Sequence, residues 1–181
     1  MTFDEGQQGS ATDARDTPAG PQVVRSRNRT SLDFGSFGVE FLIWGEETGG
    51  RFSVVEHPIP PRTLVAPLHR HEREDEYSIV LTGRMGARLG DDVVTSEAGD
   101  VVFKPRGQWH TFWNAGDAPC RVLEIISPSG FEHLFREMGE DPEAMTGDTA
   151  ETLDRRFALE VDYDSVAWLC EEHGLTFPVD A

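Results

Sequence analysis

The chain is poor in lysine. It has 16 basic residues, and all are arginine except Lys104. Cysteine is scarce too: Cys120 and Cys170 are too few for a disulfide framework, and neither stands at metal-ligand spacing from the other or from a histidine. No run of about 18 apolar residues occurs, so no membrane-spanning helix is expected. The acidic opening Met1-Thr2-Phe3-Asp4-Glu5 leads into no apolar stretch and reads as no secretory signal. These absences predict a reducing, cytoplasmic setting. Positive charge is also short. Against the 16 basic residues stand 33 acidic ones, for a net charge of −17. Phosphate backbones and anionic bilayers repel such a surface, so neither nucleic acid nor membrane is an expected partner. From Phe131 onward there are 14 acidic and 3 basic residues, read as a solvated helical face. The isolated lysine reads as a matter of composition rather than mechanism.

What is present is organised around histidine. The segment Pro67-Leu68-His69-Arg70-His71 is followed by Glu76 and Gly83. A second segment holds Gly99, Pro105, Gly107, His110 and Asn114. His69 and His71 are one residue apart, so on a strand both imidazoles point to the same side. Glu72-Arg73-Glu74-Asp75 is too charged for a buried strand and reads as a solvated turn. Glu76-Tyr77-Ser78-Ile79-Val80-Leu81 is a β-prone run ended by Thr82-Gly83. A strand, a tight turn and a returning strand can set Glu76 beside the two histidines, whereas only tertiary folding can bring in His110. Three imidazoles and one carboxylate form a ligand set for a transition metal with open positions. His57, His133 and His173 lack partners at ligand spacing and read as packing or surface residues.

The 181 residues suit one domain with a real core. Residues 1–30 are polar and read as a flexible arm, with Val23-Val24 available as a short edge strand. The barrel is expected to begin near Gly38. Strands are predicted at 39–44 and 52–56, then through the histidine segment, and at 76–82, 84–89, 101–104, 109–114 and 120–126. Pro58, Pro60 and Pro61 are expected to interrupt pairing. The first strand can present either Phe41 and Ile43 or Glu40, Leu42 and Trp44 to the interior. Phe131, Leu134, Phe135 and Met138 fall at helical spacing. Ser127 or Ser129 is a possible cap for that helix and Gly139 its stop. A loop follows over 140–147, and a last helix near 163–172 carries Trp168.

Both histidine segments match the two motifs of the cupin superfamily, with His69, His71, Glu76 and Gly83 in the first and Gly99, Pro105, Gly107, His110 and Asn114 in the second. The chain resembles single-domain cupins of the quercetin dioxygenase-like group. Ser127-Pro128-Ser129-Gly130-Phe131-Glu132 and the closing His173-Gly174-Leu175 strengthen that likeness. The resemblance implies an all-β fold, the cupin double-stranded β-helix or jelly-roll barrel, over 31–128. A short C-terminal helical extension would pack on it over 129–181. It also implies one divalent transition metal ion on His69, His71, Glu76 and His110. Fe(II) is favoured, with Mn, Ni, Cu or Zn as alternatives. The expected form is a homodimer.

Four protein ligands leave an octahedral ion two positions, enough for a bidentate substrate or for one substrate oxygen and dioxygen. The expected function is therefore a metal-dependent oxidoreductase, a dioxygenase acting on a small phenolic or enolisable, polyketide-like substrate. Glu76 is the candidate catalytic group. A non-oxidative cyclase or isomerase, or a small-molecule-binding cupin without turnover, are the alternatives. Strand alternation places Ser78, Val80 and Phe112 on the ligand face as candidate pocket residues.

Overall fold

The computed structural model describes residues 20–35, 37–141 and 147–177. Most of the expected N-terminal arm, residues 1–19, lies outside them. Two antiparallel sheets face each other across one core. The first orders β1 (Thr30–Asp33), β2 (Gly38–Ile43), β3 (Ser53–Ile59), β10 (Cys120–Ser127), β5 (Asp75–Thr82) and β8 (Val101–Lys104). The second orders β11 (Leu159–Asp162), β4 (Leu68–His71), β9 (His110–Asn114), β6 (Arg84–Leu89) and β7 (Asp92–Glu97). Sequential strands often lie in opposite sheets, as a jelly roll requires. The outer elements are α1 (Glu132–Glu140), α2 (Gly147–Arg156) and α3 (Ser165–His173).

Alternation along the strands builds the core. Val39 and Phe41 of β2, Val55 and Ile59 of β3, Val80 of β5, Met85 and Ala87 of β6, Val102 of β8, Phe112 of β9, and Val122 and Ile126 of β10 are all buried together. The first strand thus turns Phe41 inward, and a register shift between Phe41 and Ile43 ends strict alternation there. Gly83 makes the β5–β6 hairpin at φ +81°, and a Cβ there would lie 2.8 Å from Cys120 Cα. Only glycine meets both conditions.

The structure corrects several expectations. Val23 and Val24 are exposed and unpaired in the sheet, whose edge is β1 instead. Strand β3 runs through Pro58 to Ile59. Pro58 lies beyond the residues of β3 that pair in register with β2, so no ladder donor is needed on that side, where Gly38 of β2 makes room for its ring. Strand β7 was not anticipated: Val93-Val94-Thr95 is β-prone, but its edge position leaves it largely solvated and without a clear apolar alternation. Helix α1 has no side-chain cap and continues through Gly139. Gly139 serves close approach, not termination: a Cβ there would lie 2.6 Å from the side chain of Leu32 in β1.

The largest correction concerns the C-terminal segment, which contains α2 and β11 as well as helices flanking a loop. Strand β11 pairs with β4, setting Leu159 opposite His71 and Val161 opposite His69. Arg70 and Glu160 reinforce that pairing with an ion pair at 2.7 Å. The histidine strand is therefore flanked on both sides.

Candidate metal centre

Each of the four candidate ligands owes its direction to strand pleat. His69 and His71 alternate with half-buried neighbours on β4 and point inward. Glu76, the second residue of β5, shares its inner face with Ser78 and Val80. His110 opens β9 and is the direct cross-strand partner of His69. All four are buried, and one donor atom from each lies within 4.8 Å of the others. The tertiary structure brings these four residues together.

Hydrogen bonds orient two of the rings. His69 Nδ1 donates to the Pro67 carbonyl at 2.7 Å, and His110 Nδ1 donates to the Gln108 carbonyl at 2.9 Å. Each ring then turns the lone pair of Nε2 toward the interior, the arrangement a metal-binding imidazole needs. His71 Nε2 lies 3.3 Å from Glu76 Oε1, and His110 Nε2 lies 3.2 Å from Glu76 Oε2. Both Nε2 atoms are buried and have no hydrogen-bond partner among the described residues. Lone pairs facing carboxylate oxygens repel unless a cation sits among them. The orphaned nitrogens and the donor chemistry therefore fit a divalent ion held by His69, His71, Glu76 and His110.

The protonation states agree. Burial holds His69 well below its ordinary 6.5 and lowers His71 to about 4, so both are neutral. Burial alone would raise Glu76. The Lys104 ammonium against Oε2 is the largest opposing cause, and the carboxyl is held well below its usual range.

Two residues read from the sequence as incidental belong to this site. Lys104 is fully buried; its Nζ lies 2.8 Å from Glu76 Oε2 and 2.9 Å from Glu124 Oε1. Alternation from the buried Val102 carried the signal, since β8 puts both on one face. Glu74, expected in a solvated turn, is 6% exposed. Its Oε2 and His71 Nδ1 are 3.8 Å apart, and neither has another partner. Burial pushes Glu74 up to about 7. Nothing in composition separates Glu74 from the exposed Glu72; the path of the turn does.

The candidate pocket residues are all interior. Ser78 donates to both Glu124 oxygens, at 3.1 and 3.0 Å, and Phe112 stacks over Lys104 Nζ at 4.5 Å. Below the four ligands, the space is thus occupied by a charged network. The aromatic wall comes from elsewhere: Phe131 meets the His71 ring edge-on at 4.2 Å and is backed by Phe135 and Phe157. The remaining histidines have other uses. His57 is wedged among Phe37, Phe112 and Phe135, with Nδ1 on the Gly38 carbonyl. His173 stacks on Trp113, and His133 pairs with Glu46 at 3.1 Å. Glu132, beside His133, accepts from the Gly45 and Gly130 amides and so ties two loops together.

This geometry defines a class, a jelly roll of two antiparallel sheets with a buried His/Glu group able to hold a metal ion. Comparison with known proteins agrees. Residues 56–126 match the Cupin_2 family, described as Cupin domain, and the solved structures that resemble this chain support the cupin superfamily. A predicted oxalate decarboxylase from Thermotoga maritima superposes with a TM-score of 0.56 at 26% identity, over 59% of this chain and 99% of that one. KdgF from Halomonas gives a TM-score of 0.55 at 15% identity, over 62% of this chain and 99% of that one, a likeness of fold alone. Tetracenomycin polyketide synthase protein TcmJ of Streptomyces glaucescens is 35% identical over 60 residues. That match covers 33% of this chain and 40% of the relative's length. No helix among the described residues is long and apolar enough to cross a membrane.

Proposed function

We propose that the protein is a metal-dependent cupin enzyme of the quercetin dioxygenase-like kind, an oxidoreductase acting on a small phenolic or enolisable, polyketide-like substrate. The observation that carries this reading is the pair of buried, unpartnered Nε2 atoms of His71 and His110 facing Glu76. A divalent ion there, Fe(II) by preference, would supply Lewis-acid polarisation of a substrate oxygen. His69 and His110 would hold it through rings locked by backbone carbonyls, and Glu76 would contribute the negative charge. Glu76 is also the group we assign to proton transfer from a substrate hydroxyl, with Oε1 as the acceptor when it is free of the ion. Phe131 over His71 supplies an aromatic wall for a flat substrate. The partial likeness to a polyketide synthase protein supports the substrate class.

A second reading is a non-oxidative cyclase or isomerase on the same ion, because an enolisable, polyketide-like substrate can close or rearrange without net oxidation. Oxygen uptake separates the two. Protein purified without chelators and given a panel of small phenols and enols should consume oxygen in step with substrate, and a chelator should stop it. Substrate loss without oxygen uptake would establish the second reading. A ligand that binds and returns unchanged would leave a binding protein.

We also propose a homodimer. Strand β8 is a sheet edge, and Val101 and Phe103 on its outer face are 61% and 49% exposed, with Tyr77 stacked beside Phe103. Exposed apolar edges gain from being covered. Light scattering at micromolar concentration should give twice the 20.1 kDa chain mass, and Phe103→Glu should return it to the single-chain value. A wild-type mass of 20.1 kDa would refute the dimer.

A further inference from the structure

Lys104 ends β8 directly opposite Glu76 in the β5–β8 ladder. Its side chain fills the barrel interior beneath the four candidate ligands. An apolar residue there would avoid the desolvation cost of an ammonium, which is recovered only through close pairing. The pairing has an informative form. One ammonium meets two carboxylates, Glu76 Oε2 at 2.8 Å and Glu124 Oε1 at 2.9 Å. Glu124 is held in turn by the Ser78 hydroxyl. Lys104 and Glu124 cancel each other's charge. Glu76 then has no lysine or arginine besides Lys104 within ion-pair distance among the described residues.

We propose that Lys104 and Glu124 form a charge-neutral clamp that positions Glu76. The ammonium ties down Oε2 and leaves Oε1 for the ion, while Glu124 cancels the positive charge that would otherwise repel that ion. Lys104 and Glu124 are positioning residues, acting through Glu76. This rests on the reading that the four residues hold a metal ion. It explains why the core accommodates two buried ionic groups besides the ligand. It also assigns a role to Ser78, which fixes Glu124 and so the direction of Lys104. A carboxylate restricted to one oxygen leaves a six-coordinate ion two positions, whereas a two-oxygen mode would take one of them.

The test uses Mn(II) as probe and the full chain at pH 8, above the value of about 7 to which burial pushes Glu124. Binding is followed by chelator competition, and exchangeable waters on the ion by proton relaxation. Wild type should retain about two such waters. Glu124→Gln leaves the Lys104 charge to be balanced by Glu76 alone, and the variant's Kd for Mn(II) should rise at least about 10-fold, although residue 124 touches no ion. Adding Lys104→Met to Glu124→Gln restores the charge balance. Affinity should recover to within a few-fold of wild type, but the water number should fall by one as the freed carboxylate uses both oxygens. Unchanged affinity in Glu124→Gln, or an unchanged water number in the double variant, would reduce the clamp to core packing. If either variant fails to fold, the wild-type water number still decides: one water rather than two overturns the proposal. Wild-type protein that binds no Mn(II) would instead defeat the metal reading itself.

Discussion

His110→Ala should abolish metal binding while leaving the barrel folded. Bound metal should fall to less than about a tenth of an ion per chain, because losing a direct ligand costs more than the roughly 10–100-fold that loss of an outer hydrogen-bond partner costs. The fold should survive because His110 sits at the end of β9 and gives up one ring bond, to the Gln108 carbonyl, while Phe112 and Trp113 keep the strand in the core. Elemental analysis of chelator-free preparations, alongside circular dichroism, checks both halves. Stoichiometric metal in the variant would remove His110 from the ligand set.

The second large effect lies in the pH dependence of His57. Burial lowers this imidazole to about 4, and it sits neutral among three phenylalanine rings. In the unfolded chain it titrates near its ordinary value of about 6.5. Between those values the unfolded state binds the extra proton, so the stability that neutral His57 contributes falls as pH falls through that window. Glu74 and Glu124, raised to about 7, act in the opposite sense over much of the same range. Their folded forms take up protons first, and they mask the histidine in a melt of wild type alone. The difference between wild type and His57→Phe isolates it. At pH 7.5 the variant should be less stable by about 2 kcal/mol, because the Gly38 carbonyl loses its donor. At pH 5 that difference should shrink by about 2 kcal/mol, toward zero. Parallel denaturant titrations of the metal-free proteins give the comparison. A gap that stays constant between the two pH values would show that His57 is not buried in the neutral form.

Several features were legible in the chain because they are local. Alternation placed His69 and His71 on one side of a strand, and Glu76, Ser78 and Val80 on one side of the next. The apolar spacing from Phe131 to Met138 marked a helix. The motif glycines marked turns, and Gly83 has the positive φ that explains its type. Lys104 was legible too, since Val102 shares its face, but rarity drew attention to the residue type and away from its position.

Other features depended on neighbours that no local pattern names. Strand β11 carries a mixed sequence, Leu159-Glu160-Val161-Asp162, and is half-buried throughout. It becomes a strand because β4 offers a free edge. Glu72 and Glu74 are chemically alike and two residues apart, yet the turn buries one against His71 and leaves the other in water. Gly139 looks like a helix stop until Leu32 is seen against it.

By itself, the sequence determined the jelly-roll strands that alternate and the four residues that can ligate an ion, because pleat and motif spacing are properties of short segments. Only the tertiary structure decided that Lys104, Glu124 and Ser78 lie beneath Glu76, that Phe131 covers His71 and that a C-terminal strand flanks the histidines. Those contacts join segments 20 to 90 residues apart, and whether a buried charge is a liability or a working part depends on which partners the fold delivers to it.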